Sequence, residues 1–119
     1  MKSELGRLSE DRAAEFLKSL GYKILELRWR CPLGELDIVA LDGDVLVFVE
    51  VKARSSVAYG FPAEAVTRTK QAKVIKAALV YIKAKALRPE ALRFDVISFG
   101  PAREPEHITN AFEARGYTY

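Results

Sequence analysis

The sequence is poor in the residues that most often build zinc and redox sites, with one cysteine and one histidine among its 119 residues. Cys31 alone cannot form an intramolecular disulfide. Neither it nor His107 has companions at the spacing of a zinc site or of a cysteine–histidine nucleophile pair. We therefore expect both residues to be structural and the protein to reside in the reducing cytoplasm.

Long apolar segments are also missing. The apolar run from Leu46 to Val49 has the length of a strand, whereas about 20 apolar residues are needed to cross a bilayer as a helix. The N-terminus has no apolar core of the kind found in signal peptides. These absences predict a protein that neither inserts into a membrane nor carries a secretory leader.

No repeat, low-complexity tract or linker divides the chain. A length of 119 residues, of which 50% are hydrophobic, suits one compact domain with a single core. We expect residues 1–119 to form that domain.

Acidic residues are slightly fewer than basic ones, so the net charge is +3 and the sequence pI is about 9.1. Such a mild bias suits a polyanionic partner without requiring one. The basic residues gather near the central strands and along one helical segment: Arg28, Arg30, Lys52, Arg54, Arg68, Lys70, Lys73, Lys76, Lys83, Lys85 and Arg88. This distribution is compatible with nucleic-acid binding, although a basic helix is often simply solvated.

The hydrophobic period changes from helix to strand and back along the chain. An amphipathic helix is predicted over residues 3–20, ending at Gly21. Its apolar stripe comprises Leu5, Leu8, Ala13, Phe16, Leu17 and Leu20.

Further elements follow from the same patterns. They are a strand over 22–29 closed by Pro32, a hairpin over 34–52, a loop over 55–62, a helix capped by Thr67 and ended by Arg88-Pro89, and a strand over 92–99. The tail after Gly100-Pro101 shows no clear pattern. This order predicts the α/β class, with helices covering a mixed sheet.

Charged residues interrupt the hydrophobic strands of the hairpin. Because side chains alternate along a strand, Glu35 and Asp37 share one face, and Glu50 and Lys52 share a face of the next strand. Whether these two faces coincide depends on the turn between the strands.

A two-residue turn at Asp42-Gly43 pairs Leu41 with Asp44 and Asp37 with Phe48. It sets Glu35 opposite Glu50, with Asp37 one diagonal step away. Three carboxylates and the Lys52 ammonium then converge on one patch. A slip of one residue would invert the faces of one strand, which leaves Glu35 without a settled role.

Carboxylates packed this closely repel one another unless a cation or strong hydrogen-bond donors offset the field. Mg²⁺ or Mn²⁺ is the simplest offset, because both prefer oxygen ligands and leave positions for waters and phosphate oxygens. Lys52 would orient or deprotonate an attacking water or neutralise charge on the phosphate. This arrangement is typical of phosphodiester hydrolysis. The alternative is a surface ion cluster, but the run before Glu50 is apolar on both faces, which predicts a buried strand.

Residues on both predicted helices are candidates to extend the same site. Glu10 lies on the edge of the first helix's apolar face, one turn after Gly6, and is a candidate further metal ligand or else a solvated glutamate. Thr67, Lys70 and Gln71 lie in the first turn of the second helix, where free backbone N–H groups attract phosphate.

Five segments together resemble the YraN family of small bacterial proteins: Gly6-x-x-x-Glu10, Gly34-Glu35-Leu36-Asp37-Ile38-Val39, Val47-Phe48-Val49-Glu50-Val51-Lys52-Ala53-Arg54, Ala65-Val66-Thr67-x-x-Lys70 and Arg93-Phe94-Asp95-Val96. That family is in turn similar to archaeal Holliday junction resolvases and to the PD-(D/E)XK nuclease superfamily.

The resemblance implies a restriction-endonuclease-like fold, with Asp37 and Glu50 as metal ligands and Lys52 as the catalytic lysine. Glu10 matches the helical acid of some resolvases. Leu36 stands where the superfamily name has a proline, a position that varies widely. The resemblance also implies a homodimer, because junction resolvases pair two sites to cut two strands.

The leading hypothesis is a metal-dependent endonuclease or related phosphodiesterase acting on DNA, including branched DNA. Mg²⁺ or Mn²⁺ would be held by Asp37, Glu50, the Val51 carbonyl and Glu10, while Arg54 and Lys70 bind phosphate. The alternatives are a non-catalytic nucleic-acid-binding module that acts through a partner, and an interaction domain whose carboxylates are structural.

Overall fold

The computed structural model describes residues 4–53, 66–100 and 105–114. Within these ranges the chain forms two helices and five strands, in the order α1 (Glu4–Ser19), β1 (Lys23–Cys31), β2 (Gly34–Asp42), β3 (Val45–Ala53), α2 (Arg68–Ala84), β4 (Ala91–Phe99) and β5 (Pro105–Phe112). The loop predicted over 55–62 lies outside the described residues, as does Arg54.

The five strands form one mixed sheet in the order β1-β2-β3-β4-β5. Neighbouring strands are antiparallel except β3 and β4, which are parallel. A parallel pair requires a crossover connection, and α2 lies in that connection. The predicted α/β class with a mixed sheet is confirmed.

The two helices pack in two separate core clusters. The α1 cluster contains Ala13, Ala14, Leu17, Ile38, Ala40, Val47, Val49, Ile97 and Phe99. The α2 cluster includes Leu36, Val39, Phe48, Val74, Ala78, Tyr81, Phe94 and Val96. Because β3 contributes Val47 and Val49 to one cluster and Phe48 to the other, the middle of the sheet is buried on both faces.

Helix α1 uses a different stripe from the predicted one. Leu5, Leu8 and Leu20 are 58%, 54% and 53% exposed, so the prediction that they face the core was wrong. The buried residues are Ser9, Glu10, Ala13, Ala14 and Leu17. Small alanines let the helix approach the sheet closely, and this rotation buries Glu10.

Two of the three predicted helix ends agree with the structure. Gly21 follows α1 with a φ of +93°, and the Tyr22 N–H donates to the Leu17 carbonyl at 3.0 Å. At the start of α2, Thr67 Oγ1 accepts from the Lys70 N–H at 3.1 Å. The predicted end at Arg88-Pro89 was late, because α2 stops at Ala84 and Ala86 adopts a φ of +53°.

Strand β5 occupies the tail in which the sequence showed no pattern. It is an edge strand with several exposed positions, so its residues do not alternate cleanly between polar and apolar. A stack of three rings joins it to the sheet: Phe112 of β5 lies 5.1 Å from Phe94 of β4, and Phe94 lies 5.5 Å from Phe48 of β3. Each such pair contributes about 0.5–1.5 kcal/mol beyond burial.

A buried carboxylate anchors the same edge. Asp95 Oδ1 accepts from the Asn110 N–H at 2.9 Å, and Asp95 Oδ2 lies 2.8 Å from His107 Nε2. Arg93 donates to both Asp95 oxygens at 2.9 and 3.0 Å. His107 therefore has a structural position, as expected, and the free Cys31 packs against the α2 cluster.

Neither α1 nor α2, the helices of the described part of the chain, is long and apolar enough to cross a membrane.

Candidate metal centre

The β2–β3 hairpin positions the candidate site. Its pairing runs from Asp42 opposite Val45 to Ile38 opposite Val49, so the turn residues are Gly43 and Asp44. The predicted turn at Asp42-Gly43 was wrong, because Gly43 takes the first turn position with a φ of +59°.

The predicted pairing partners shift by two residues as a result. A shift of two keeps every side chain on its own face, whereas a shift of one would not. Continuing the observed pairing by one residue sets Asp37 opposite Glu50, where Glu35 had been expected. The predicted convergence of the two strands' carboxylates is preserved.

Asp37 and Glu50 each bind the backbone of the opposite strand. The Val51 N–H donates to Asp37 Oδ2 at 2.9 Å, and the Asp37 N–H donates to Glu50 Oε2 at 3.4 Å. Both residues are buried, at 3% and 1% exposure. Buried carboxylates need such partners, and these two hydrogen bonds fix the orientation of both groups.

The strands are distorted at this point. Leu36 packs in the α2 cluster, whereas Ile38, two residues later, packs in the α1 cluster. Arg28 of the neighbouring strand lies between the residues paired with these two and has a φ of +54°. Strict alternation is therefore interrupted beside Asp37.

Three carboxylates from two elements meet at the distortion. Ligand oxygens of Glu10, Glu35 and Asp37 all lie within 4.8 Å of one another. We call these three residues the carboxylate cluster. Glu10, 1% exposed, comes from α1, and the other two come from β2. The structure thus brings the predicted ligands Glu10 and Asp37 together and includes Glu35, whose role the sequence left unsettled.

Glu50 adjoins the carboxylate cluster without belonging to it. Among the described residues it is linked to the cluster through the Asp37 backbone N–H. Val51 follows it, and its N–H faces Asp37. Lys52, half-buried, lies beside Ser98 of β4 and forms no ion pair with another described residue. The predicted ligand and catalytic roles of these three residues stay predictions.

Arg28 is a site residue that sequence reasoning missed. Its Nη1 donates to Glu10 Oε1 and to Asp11 Oδ1, both at 3.2 Å. The hydrogen bond to Glu10 raises the pKa of the Arg28 guanidinium above its ordinary value. No local signal could have revealed this contact, because it depends on a left-handed residue inside a strand.

Arg30 contacts the other side of the carboxylate cluster. It pairs across the strands with Glu35, and Arg30 Nε lies 3.3 Å from Glu35 Oε2. Arg30 is 63% exposed, so this ion pair is screened by solvent. Cations at Arg28 and Arg30 partly offset the repulsion among the three carboxylates.

The first turn of α2 approaches Glu50 through Lys70. Lys70 Nζ lies 3.8 Å from Glu50 Oε1. Thr67 is the N-cap, and Gln71 Nε2 donates to the Val66 carbonyl at 3.0 Å. Thr67 and Gln71 therefore stabilise the start of the helix, and their expected contacts with nucleic acid stay predictions.

The donor set fits a hard divalent cation. Oxygen atoms from three carboxylates within a few ångströms are the ligands that Mg²⁺ and Mn²⁺ prefer. Fixed orientation of Asp37 and Glu10 by hydrogen bonds lowers the cost of assembling such a site.

The fold and the carboxylate cluster define a small α/β domain with a candidate metal centre at the distorted end of its central hairpin. A family model described as uncharacterised protein family UPF0102, which is the YraN family, matches residues 9–99. The chain belongs to this family, so the resemblance seen in the sequence is confirmed.

Relatives from several bacteria match nearly the whole chain. A UPF0102 protein of Geobacter sulfurreducens is 49% identical over 113 residues, which are 92% of this chain and 88% of that protein. Those of Dictyoglomus thermophilum and Caldanaerobacter subterraneus are 44% and 43% identical, over 92% and 93% of this chain and 97% and 96% of their own. The matched family range includes the carboxylate cluster, Glu50, Lys52 and Lys70.

Proposed function

We propose that the protein is a metal-dependent endonuclease or related phosphodiesterase that acts on DNA. The observation that carries this proposal is the approach of Glu10, Glu35 and Asp37 oxygens to within 4.8 Å of one another. The proposal includes the PD-(D/E)XK fold, which the order helix, hairpin, crossover helix and parallel strand supports.

The proposed cofactor is Mg²⁺ or Mn²⁺, held by Asp37, Glu10 and Glu35, with Glu50 and the Val51 carbonyl at its border. A bound divalent cation supplies Lewis-acid stabilisation of a phosphoryl oxygen and lowers the pKa of water. Carboxylate oxygens suit this cation, and the partly filled protein shell leaves room for phosphate oxygens.

The protein's own residues supply orientation. The Val51 N–H holds Asp37, the Asp37 N–H holds Glu50, and Arg28 holds Glu10. Groups held in their working geometry before substrate binds lower the entropic part of the activation barrier. The hairpin distortion is thus the feature that brings the acidic groups of two elements to one place.

Lys52 is proposed to orient or deprotonate the attacking water and to offset charge that develops on the phosphate. It lies two residues after Glu50, at the end of β3. Lys70 and Arg54 are proposed to bind phosphates next to the scissile bond. We place this activity in the cytoplasm and in a homodimer, because two sites are needed to cut both strands of a branched DNA symmetrically.

The test is cleavage of end-labelled single-stranded, duplex, flap and four-way-junction DNA with Mg²⁺ or Mn²⁺. We expect metal-dependent cleavage that Asp37→Asn and Lys52→Met abolish while DNA binding is retained. Asp44→Asn and Lys76→Met are matched controls, because both residues are exposed and neither belongs to the carboxylate cluster: Asp44 lies in the hairpin turn and Lys76 lies in α2. Equal cleavage by the wild type and both site variants would exclude this assignment.

A second candidate function is a nucleic-acid-binding module without catalysis. The exposed lysines of α2, Lys73, Lys76 and Lys83, favour it. This candidate predicts binding that weakens steeply with salt and does not require a divalent cation. Binding of every substrate with cleavage of none would favour it over the nuclease.

A further inference from the structure

The contact between Lys70 and Glu50 joins the start of α2 to the border of the carboxylate cluster. Lys70 Nζ lies 3.8 Å from Glu50 Oε1. The Lys70 side chain is 40% exposed, whereas that of Glu50 is 1% exposed. A partly solvated cation thus meets a buried anion.

The position of Lys70 on the helix is unfavourable for the helix itself. A cation in the first turn opposes the helix dipole, which favours anions there. The backbone of Lys70 is fixed nonetheless, because its N–H donates to Thr67 Oγ1 at 3.1 Å. The fixed backbone and the unfavourable interaction with the helix dipole together indicate that the Lys70 side chain binds an anionic partner outside the helix.

A lysine is suited to a partnership that must be exchanged. Its ammonium is a compact charge on a flexible stem, and it lacks the planar fork by which arginine binds a carboxylate through two hydrogen bonds. At 3.8 Å the pair is an ion pair longer than a normal hydrogen bond. The ammonium can leave Glu50 at a cost smaller than that of breaking a fully buried pair.

We propose that Lys70 is an exchangeable counter-ion of Glu50. It pairs with the carboxylate until a divalent cation binds beside it, and it then moves to a phosphate of the bound DNA. This inference rests on the proposed function, since it assumes that Glu50 borders a metal centre. Lys70 and the metal are both attracted to the Glu50 carboxylate and repel each other. A DNA phosphate gives Lys70 another anionic partner, so that the metal keeps Glu50.

Such an exchange couples the two ligands of the site. Metal binding releases Lys70 for phosphate, and phosphate binding removes the cation that opposes the metal. Because coupling between two ligands is reciprocal, DNA strengthens metal binding by the same factor by which metal strengthens DNA binding. Lys70 thus becomes a positioning residue that makes full metal binding depend on substrate.

The decisive measurement is Mn²⁺ affinity by titration calorimetry, without DNA. Lys70→Met is expected to bind Mn²⁺ about tenfold more tightly than the wild type, because the cation paired with Glu50 at the border of the proposed metal centre is removed. Lys70→Arg, which keeps the charge, is expected to restore the wild-type affinity. Lys76→Met, on the exposed face of the same helix, controls for net charge and is expected to change the affinity less than about twofold.

The direction of the change separates the inference from a structural role. A side chain that only supports the fold would lower Mn²⁺ affinity or leave it unchanged when removed. Equal or weaker binding by Lys70→Met, or the same gain in Lys76→Met, would overturn the inference while leaving the nuclease proposal in place. Absence of Mn²⁺ binding by the wild type would instead overturn the proposed function.

A second readout uses a short DNA duplex with the same proteins. Mn²⁺ is expected to strengthen DNA binding by the wild type, and this strengthening is expected to be lost in Lys70→Met. Equal strengthening in both proteins would contradict the exchange, since the coupling would then not pass through Lys70.

Discussion

The Val51 N–H donates a hydrogen bond to Asp37 Oδ2 at 2.9 Å, so a carboxylate takes the place of a backbone acceptor at the end of the β2–β3 pairing. This hydrogen bond orients the Asp37 carboxylate relative to β3. The backbone of the hairpin that carries Asp37 and Glu50 therefore also orients their carboxylates.

The Asp37 contact makes a prediction for stability that is separate from metal binding. Asp37→Asn keeps an oxygen acceptor for the Val51 N–H and removes one of several crowded charges, so we expect stability within about 1 kcal/mol of the wild type. Asp37→Ala leaves that N–H unsatisfied and is expected to be about 1–3 kcal/mol less stable than Asp37→Asn. Urea unfolding measures both; equal stability of the two variants would show that the hydrogen bond contributes little.

Glu35 offers a test of which acids form the metal centre. Its oxygen lies in the carboxylate cluster, so Glu35→Gln is expected to weaken Mn²⁺ binding at least about tenfold. Glu26→Gln is the matched control, because Glu26 is on the neighbouring strand and pairs with Lys85 at 3.5 Å. Calorimetry compares the two, and unchanged affinity in Glu35→Gln would restrict the centre to the residues predicted from sequence.

Two substitutions of Arg28 separate the effect of its backbone strain on stability from the effect of its ion pairs. Arg28→Ala and Arg28→Gly both remove the contacts with Glu10 and Asp11, and each is expected to destabilise the fold by about 1–3 kcal/mol. Glycine adopts the observed φ of +54° without penalty, so Arg28→Gly is expected to be about 0.5–1 kcal/mol more stable than Arg28→Ala. The reverse order in urea unfolding would mean that Arg28 is not strained.

The lowered pKa of Asp95 predicts how the stability of the fold depends on pH. Burial acts to raise the pKa of this carboxyl, but hydrogen bonds from His107, Arg93 and the Asn110 N–H outweigh it and hold the pKa below the ordinary value of 3.8. The unfolded chain therefore takes up the proton first as pH falls. The stabilisation is present above the ordinary value and is lost as pH falls through the lowered pKa of the folded state.

Asp95→Asn is accordingly expected to be at least about 3 kcal/mol less stable than the wild type at neutral pH, because Arg93 loses its buried partner. That difference is expected to stay constant down to about pH 5 and to shrink as pH falls further, first through the ordinary value and then through the lowered pKa of the folded state. Thermal unfolding across this range measures it, with Asp44→Asn as an exposed control. A difference that stays constant with pH would contradict the lowered pKa.

Local patterns predicted the elements close to where they lie. Thr67, Gly21 and Pro32 marked helix and strand ends, because capping and turn chemistry involve residues only a few positions apart. The β5 strand gave no such signal, since its place at the sheet edge comes from Phe94, Asp95 and their contacts with residues more than ten positions away.

The sequence predicted part of the candidate site. Asp37 and Glu50 were expected to converge, and they do, because an error of two residues in the turn preserves the faces of both strands. Glu10 was expected at the edge of the core and lies fully inside it, because α1 is rotated toward its alanines. The PD-(D/E)XK fold and the nuclease activity stay predictions.

The sequence by itself determined the α/β order of elements, the family, and the acidic character of the hairpin, because these depend on residue type and short spacing. Only the tertiary structure decided that Arg28 holds Glu10, that Glu35 joins the carboxylate cluster, and that Lys70 meets Glu50. These contacts bring together residues from different elements, and their distances depend on how a helix rotates and how a strand bends, which the packing of the whole core determines.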